Sequence, residues 1–343
     1  MKLFGRDYSW RDVERYSGRT EQLFGVRLTE LSDGRERGVR IAELRNGGGW
    51  NLTVLLDRGL DLGNADFRGV PLPFLCPGEF AAPAFFTDRG LEWLRNWGGG
   101  LLTGCGLRNV GSPGEADGES FSLHGRLSNI PAREVRTGHC QVAGQETLYV
   151  EGSMREARMF GENLLLTRRI STPIGGDAVM VEDTVTNAGF KPEPVFLLYH
   201  TNWGFPMVHE NSRLEAVSHP VQAHHATPAA EVGKWMEMQP PTPGYAEQVF
   251  YHDIPASPDG FAAMTLHSPL AGLRAEVAWR KKELPLLVQW KMLGQGAYVI
   301  GLEPSNCRVE GRAAELAAQP HCVLAPGETR SFALRLRIWV ASD

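Results

Sequence analysis

Cysteine is sparse and unpaired in this sequence. The five cysteines, Cys76, Cys105, Cys140, Cys307 and Cys322, are odd in number and none forms a Cys-x-x-Cys pair, which argues against a disulfide scaffold, a zinc ribbon or a dithiol redox centre. Free, mostly buried thiols are expected. Uncharged runs of bilayer length are missing as well, so no membrane-spanning helix is expected. The opening Met1-Lys2-Leu3-Phe4-Gly5-Arg6-Asp7 has no apolar stretch of the signal-peptide kind, and a soluble, cytoplasmic protein is the expectation. Positive charge is not in excess. With 35 Lys and Arg against 40 Asp and Glu, the net charge is −5, which argues against nucleic acid or an anionic membrane as a partner. A small molecule is expected instead, and a homodimer is left open. Repeats, linkers and low-complexity tracts are absent too, and no crossover helices separate the strand-like segments, so a parallel α/β sheet is disfavoured.

What the chain does have is glycine and proline, 39 and 22 of them, the composition of many short elements joined by turns. Ser9-Trp10-Arg11-Asp12 places a hydroxyl three residues before a carboxylate, so a small capped helix is expected over residues 10–17. Residues 38–44 and 51–56 alternate around Gly47-Gly48-Gly49 and read as a hairpin. Thr87 or Asp88 is placed to cap a helix carrying Leu91, Leu94 and Trp97, with Trp93 or Trp97 available to roof a pocket. The glycines of residues 101–109 suit close backbone packing, since the stretch lacks the Walker lysine. Strand patterns then fill residues 147–151, 163–170, 178–186, 244–251, 261–266, 273–279, 286–290 and 298–302. The cleanest alternation runs through Phe332, Leu334, Leu336, Ile338 and Val340, with Arg335 and Arg337 between. The fold class expected is mainly β, one large antiparallel sandwich with a few short helices. Residues 1–37 read as a helix-and-loop extension packed on a core of residues 38–343.

Three strand ends carry chemistry. Residues 195–204 run apolar into His200, Asn202 and Trp203; Ser122-Leu123-His124-Gly125-Arg126 sets a histidine and an arginine on a glycine bend; and Tyr298-Val299-Ile300-Gly301-Leu302-Glu303-Pro304 delivers a glutamate. Two imidazoles and a carboxylate are the minimum set for moving two protons near neutral pH. Asp57, Arg58 and Asp61 cluster at another strand end and suggest either turn charges or a clamp on sugar hydroxyls or a carboxylate. Tyr245 and Glu247 share one face of a strand pattern and suit a polyol. His209, His219, His224 and His225 lie in a proline-rich stretch without metal-site spacing, so no metal is expected there.

With those segments in view, the chain resembles the aldose 1-epimerase (galactose mutarotase-like) superfamily, and looks closest to its DUF4432 branch. The resemblance implies a β-supersandwich with a sugar cleft on one sheet and interconversion of the α and β anomers of an aldose. It makes His200 the general acid on the ring oxygen and Glu303 the base on the anomeric hydroxyl, with His124 and Asn202 on the sugar and Glu247 as the acidic sugar ligand. No cofactor is implied, because no electrons or groups leave. Two positions depart from the family pattern: Arg126 stands where a second glycine is common, and Lys291 follows Trp290. Arg58, Arg126 and Lys291 would then line a cationic wall for a uronate, sulfonate or phosphate sugar, unless they neutralise nearby carboxylates. The alternatives are a carbohydrate-binding protein without turnover and an isomerase or lyase acting on oxidised sugars.

Overall fold

The period-two pattern near the C-terminus builds the centre of a sheet. In the computed structural model, which describes residues 1–318 and 322–341, Thr329–Val340 is a strand whose Phe332, Leu334, Leu336 and Ile338 are buried. It lies between Ala178–Asn187 and Leu273–Arg280 in an eight-stranded sheet. That sheet continues through Asn163–Pro173, Gln145–Ala157 and Arg133–Val142 on one side, and through Phe261–Ser268 and Arg213–Glu215 on the other. Each of these buried apolar side chains contributes roughly 1.5–3 kcal/mol.

The second sheet has eleven strands. From edge to edge its main path runs Val221–Ala223, Gln248–His252, Leu286–Leu293, Tyr298–Ser305, Phe196–Trp203, Leu102–Leu107, Asp61–Phe67, Trp50–Leu55, Arg40–Arg45 and Gly25–Glu30. All strand pairs within the two sheets are antiparallel. The hairpin expected around Gly47–Gly49 forms, with Arg45 opposite Asn51, and the Asn46 side-chain oxygen accepts from Gly48 and Trp50 N–H. The capped helix forms over Trp10–Tyr16 with a reciprocal Ser9–Asp12 capping box. The first 37 residues hold this helix and also the edge strand Gly25–Glu30.

Two central strands, Phe196–Trp203 and Leu102–Leu107, are buried on both faces. One face meets the other sheet. The outer face is covered by irregular chain that brings Trp93, Trp97 and Val110 against Leu198, Tyr251 and Val288. Gly106 makes room for close strand packing: a Cβ there would sit 2.3 Å from the Phe196 carbonyl oxygen. The helix expected after Asp88 is instead a single 3-10 turn, Glu92–Arg95. Leu91 and Leu94 are exposed while Trp93 and Trp97 are buried, their indoles donating to Ser128 and Thr103. Specific tertiary partners for the indoles outweigh the leucine spacing.

Between the sheets lies a fully buried guanidinium. Arg168 pairs with Asp183 at 2.8 Å and with Asp61 of the second sheet at 3.0 Å, and also donates to the Gly59 carbonyl. Tyr199 donates its hydroxyl to Asp183 at 2.8 Å. Arg168→Met is expected to leave two buried carboxylates unpaired and to cost about 3–5 kcal/mol, read as a lowered denaturant midpoint; an unchanged midpoint would remove this network from the account.

Candidate active site

Because Tyr199 points between the sheets, the alternation of the strand turns His200 to the outer face. Thr201 pairs with Leu302 and Leu198 with Ser305, which sets His200 directly across from Glu303. His200 Nε2 and Glu303 Oε1 are 3.2 Å apart, both side chains almost wholly buried. The contact is close but not aligned as a hydrogen bond, and Glu303 Oε1 and His200 Nδ1 have no other hydrogen-bond partner. Gly301 leaves room for the carboxyl, since a Cβ there would lie 2.2 Å from Glu303 Oε1.

Burial decides the charges here. It pushes the Glu303 carboxyl well above the usual range, reinforced by Glu247, and pushes His200 well below its ordinary value, reinforced by His124. His124 is itself lowered to about 4 by burial. Its Nδ1 accepts from the Gly111 N–H at 3.3 Å, so in the neutral ring Nε2 carries the hydrogen. The two imidazoles lie 5.5 Å apart. Trp93 and Trp97 stack at 5.7 Å, and Trp97 and Trp290 each approach His200, at 5.7 and 5.6 Å. These groups surround a cavity of about 340 Å³ that also includes Glu247 and His224. Glu247 accepts from the Trp290 indole at 2.9 Å. A neighbouring cavity of about 500 Å³, lined among others by Glu231, Lys234, Glu237 and Lys291, is larger but holds neither His200 nor Glu303.

The structure therefore brings together His200, Glu303, His124 and Glu247, and separates the rest. Asn202 is fully buried, its amide donating to the Gly100 and His200 carbonyls, and braces the chain beneath the cleft instead of meeting a sugar. Arg58 is buried with its guanidinium on the Ala81 and Asn96 carbonyls, and burial lowers it to about 10. Asp57 is held by Arg40 and Asp61 by Arg168, so the clamp expected of these residues does not form. Arg126 is neutralised by Asp88, Glu119 and Glu156. Lys291 lies on the strand face opposite Trp290, donates to the Lys234 carbonyl and lines the neighbouring cavity. The cationic wall is not assembled, because each cation has a nearer carboxylate or carbonyl. Glu247 itself precedes its strand, which begins at Gln248; Tyr245 faces the neighbouring cavity.

His224, His225 and Glu310 come close enough to suggest metal ligation, within 4.8 Å of one another. However, His224 Nδ1 accepts from the Ala226 N–H at 3.1 Å, which places the ring hydrogen on Nε2, facing Glu310 at 3.4 Å. A nitrogen that carries a proton is a donor and not a metal ligand. Its position on the cleft wall, like the roles of Trp290 and Gly301, depends on long-range packing and left no local signal in the sequence.

Residues 36–338 match the family described as a domain of unknown function, DUF4432. The chain belongs to this family. No curated protein is significantly similar to it in sequence. Among solved structures, a candidate aldose 1-epimerase from Klebsiella pneumoniae superposes with a TM-score of 0.87 at 23% identity, covering 93% of this chain and 86% of that one. A galactose mutarotase-like protein from Clostridium acetobutylicum gives 0.66 at 12% identity over 93% and 100% of the two chains. Galactose 1-epimerase from Lactobacillus acidophilus gives 0.58 at 13% over 93% and 100%. The DUF4432 chain thus has the galactose mutarotase-like β-supersandwich fold expected from its sequence. None of its helices among the described residues is long and apolar enough to cross a membrane.

The raised Glu303 carboxyl has a stability consequence. A buried acid favours the fold while protonated, so its contribution is complete below the unfolded value near 4.5 and is lost as pH rises toward the folded value. Glu303→Gln, which mimics the protonated acid, is expected to match the wild type in denaturant midpoint at acidic pH and to exceed it at pH 8. Parallel midpoints at both pH values would contradict the burial argument.

Proposed function

We propose that this DUF4432 protein is an isomerase that interconverts the anomers of an uncharged aldose, an aldose 1-epimerase. The 3.2 Å approach of His200 to Glu303 carries the reading. Opening a cyclic hemiacetal requires a proton taken from the C1 hydroxyl and one given to the ring oxygen, and both oxygens are bonded to the same carbon. An acid and a base that serve both must therefore lie within a few ångströms of each other.

The pair holds one shared proton in either of two arrangements. With that proton on His200, the imidazolium serves the ring oxygen and the Glu303 carboxylate takes the hydroxyl proton. With it on Glu303, the arrangement favoured by burial before a sugar enters, the roles are exchanged. Rotation about C1–C2 and reclosure give the other anomer, and the protons return. His124 Nε2–H is a donor toward sugar oxygens, Glu247 accepts from a hydroxyl, and Trp93 and Trp97 offer an apolar wall to the C–H face of the ring. No lysine or arginine is among the described residues lining the cleft, which supports a neutral substrate over an acidic one. Five free thiols suit a cytoplasmic location.

Two-dimensional exchange NMR on equilibrated neutral and acidic sugars tests the proposal. The protein is expected to accelerate anomer exchange of a neutral sugar, with His200→Asn and Glu303→Gln each slowing it by about 100-fold or more. Line broadening without faster exchange across the panel would make the protein a binder, and exchange confined to acidic sugars would overturn the substrate assignment.

A further inference from the structure

The cleft wall carrying His224, Ala226 and Thr227 belongs to a segment with little regular structure, the three-residue strand Val221–Ala223 and the 3-10 turn Ala229–Lys234. Both ends of this segment are tied down at one place. His219 Nε2 lies 2.9 Å from His252 Nδ1, and His252 Nε2 lies 2.9 Å from Gln289 Oε1. Gln289 Nε2 donates to the Trp235 carbonyl at 2.8 Å. The Trp235 indole packs edge-on against both imidazoles, at 5.5 and 4.9 Å. At the outer end, His219 Nδ1 is 2.6 Å from the Val217 carbonyl oxygen.

The hydrogens along this chain can be counted. Carbonyl oxygens only accept, so Val217 requires a hydrogen on His219 Nδ1. Trp235 requires the Gln289 nitrogen to face it, which turns the amide oxygen to His252 and requires a hydrogen on His252 Nε2. With both rings neutral, His219 Nε2 and His252 Nδ1 would then meet lone pair to lone pair at 2.9 Å. One added proton turns that repulsion into an N–H···N bond and completes the chain. We propose that His219 and His252 share a single proton, and that this proton fastens the segment forming one wall of the cleft.

His252 is fully buried, and burial together with the His219 charge holds it down to about 3, so His252 keeps a neutral ring. Other charged groups on the packed elements are engaged elsewhere: Asp253 pairs with Lys281, Glu231 pairs with Lys234, Lys291 donates to the Lys234 carbonyl, and Arg308 donates to Gln222 of the adjoining strand. From strand Leu286–Leu293 the group facing His252 is the neutral Gln289. The sign follows directly. The bond is present on the acid side of the pair's titration and is lost as pH rises through it, releasing the wall. His219 and His252 are positioning residues, and the inference stands whichever ligand enters the cleft.

Nitrogen-15 NMR of the histidine rings in the full chain, titrated with pH, tests this. The expected result is scalar coupling between His219 Nε2 and His252 Nδ1 on the acid side, vanishing with the loss of one proton, while the Thr227 backbone amide shifts in the same step. His219→Gln supplies an uncharged donor to His252 and is expected to abolish the Thr227 step. Absence of the coupling at every pH, or a Thr227 step unchanged in His219→Gln, would overturn the proposal; the coupling in the wild-type chain decides it even if the variant does not fold.

Discussion

The buried Arg168 guanidinium fixes the relation between the sheets and, through Tyr199, the facing of the strand that carries the candidate acid. Asp183 accepts from both Arg168 and Tyr199, while Asp61 brings the second sheet to the same cation. With Tyr199 held inward, His200 must face outward, and antiparallel register then brings Glu303 to it without any loop. An imidazole–carboxyl pair placed by strand geometry needs no induced assembly. Burial holds Asp61 near 7 even beside this cation, a measure of how dry the layer is.

Dryness is also what gives the cleft its chemistry. Covering the outer face of Phe196–Trp203 with Trp93 and Trp97 removes water from groups that would be charged in solution. The result is a neutral imidazole facing a carboxylic acid, with one proton between them held on the carboxyl by burial. The same low polarity explains the fate of the cations: Arg58 and Arg126 find carbonyls and carboxylates outside the cleft.

The fold was legible because period-two alternation in segments such as Thr329–Val340 is a local property, and so was the order of the His124, His200 and Glu303 segments. Charge partnerships were not. Asp57 answers Arg40, seventeen positions earlier in the chain, and Arg126 answers Glu156 across the hairpin of Arg133–Val142 and Gln145–Ala157; sequence spacing carries no information on either. The leucines at 91 and 94 imitated a helix whose place is taken by two tryptophans seeking hydroxyl partners. The resemblance placed Asn202 on the sugar, yet sharing a strand face with His200 does not distinguish the cleft from the backbone it rests on.

A crystal structure of the protein with a slowly reacting neutral sugar bound is the most direct test of the central claim, that His200 and Glu303 act together on one anomeric centre. The account predicts the ring oxygen and the C1 hydroxyl each within hydrogen-bond distance of one member of the pair, with Trp93 or Trp97 along the ring. A sugar seated in the neighbouring cavity beside Lys291, or bound with C1 turned away from both side chains, would contradict it.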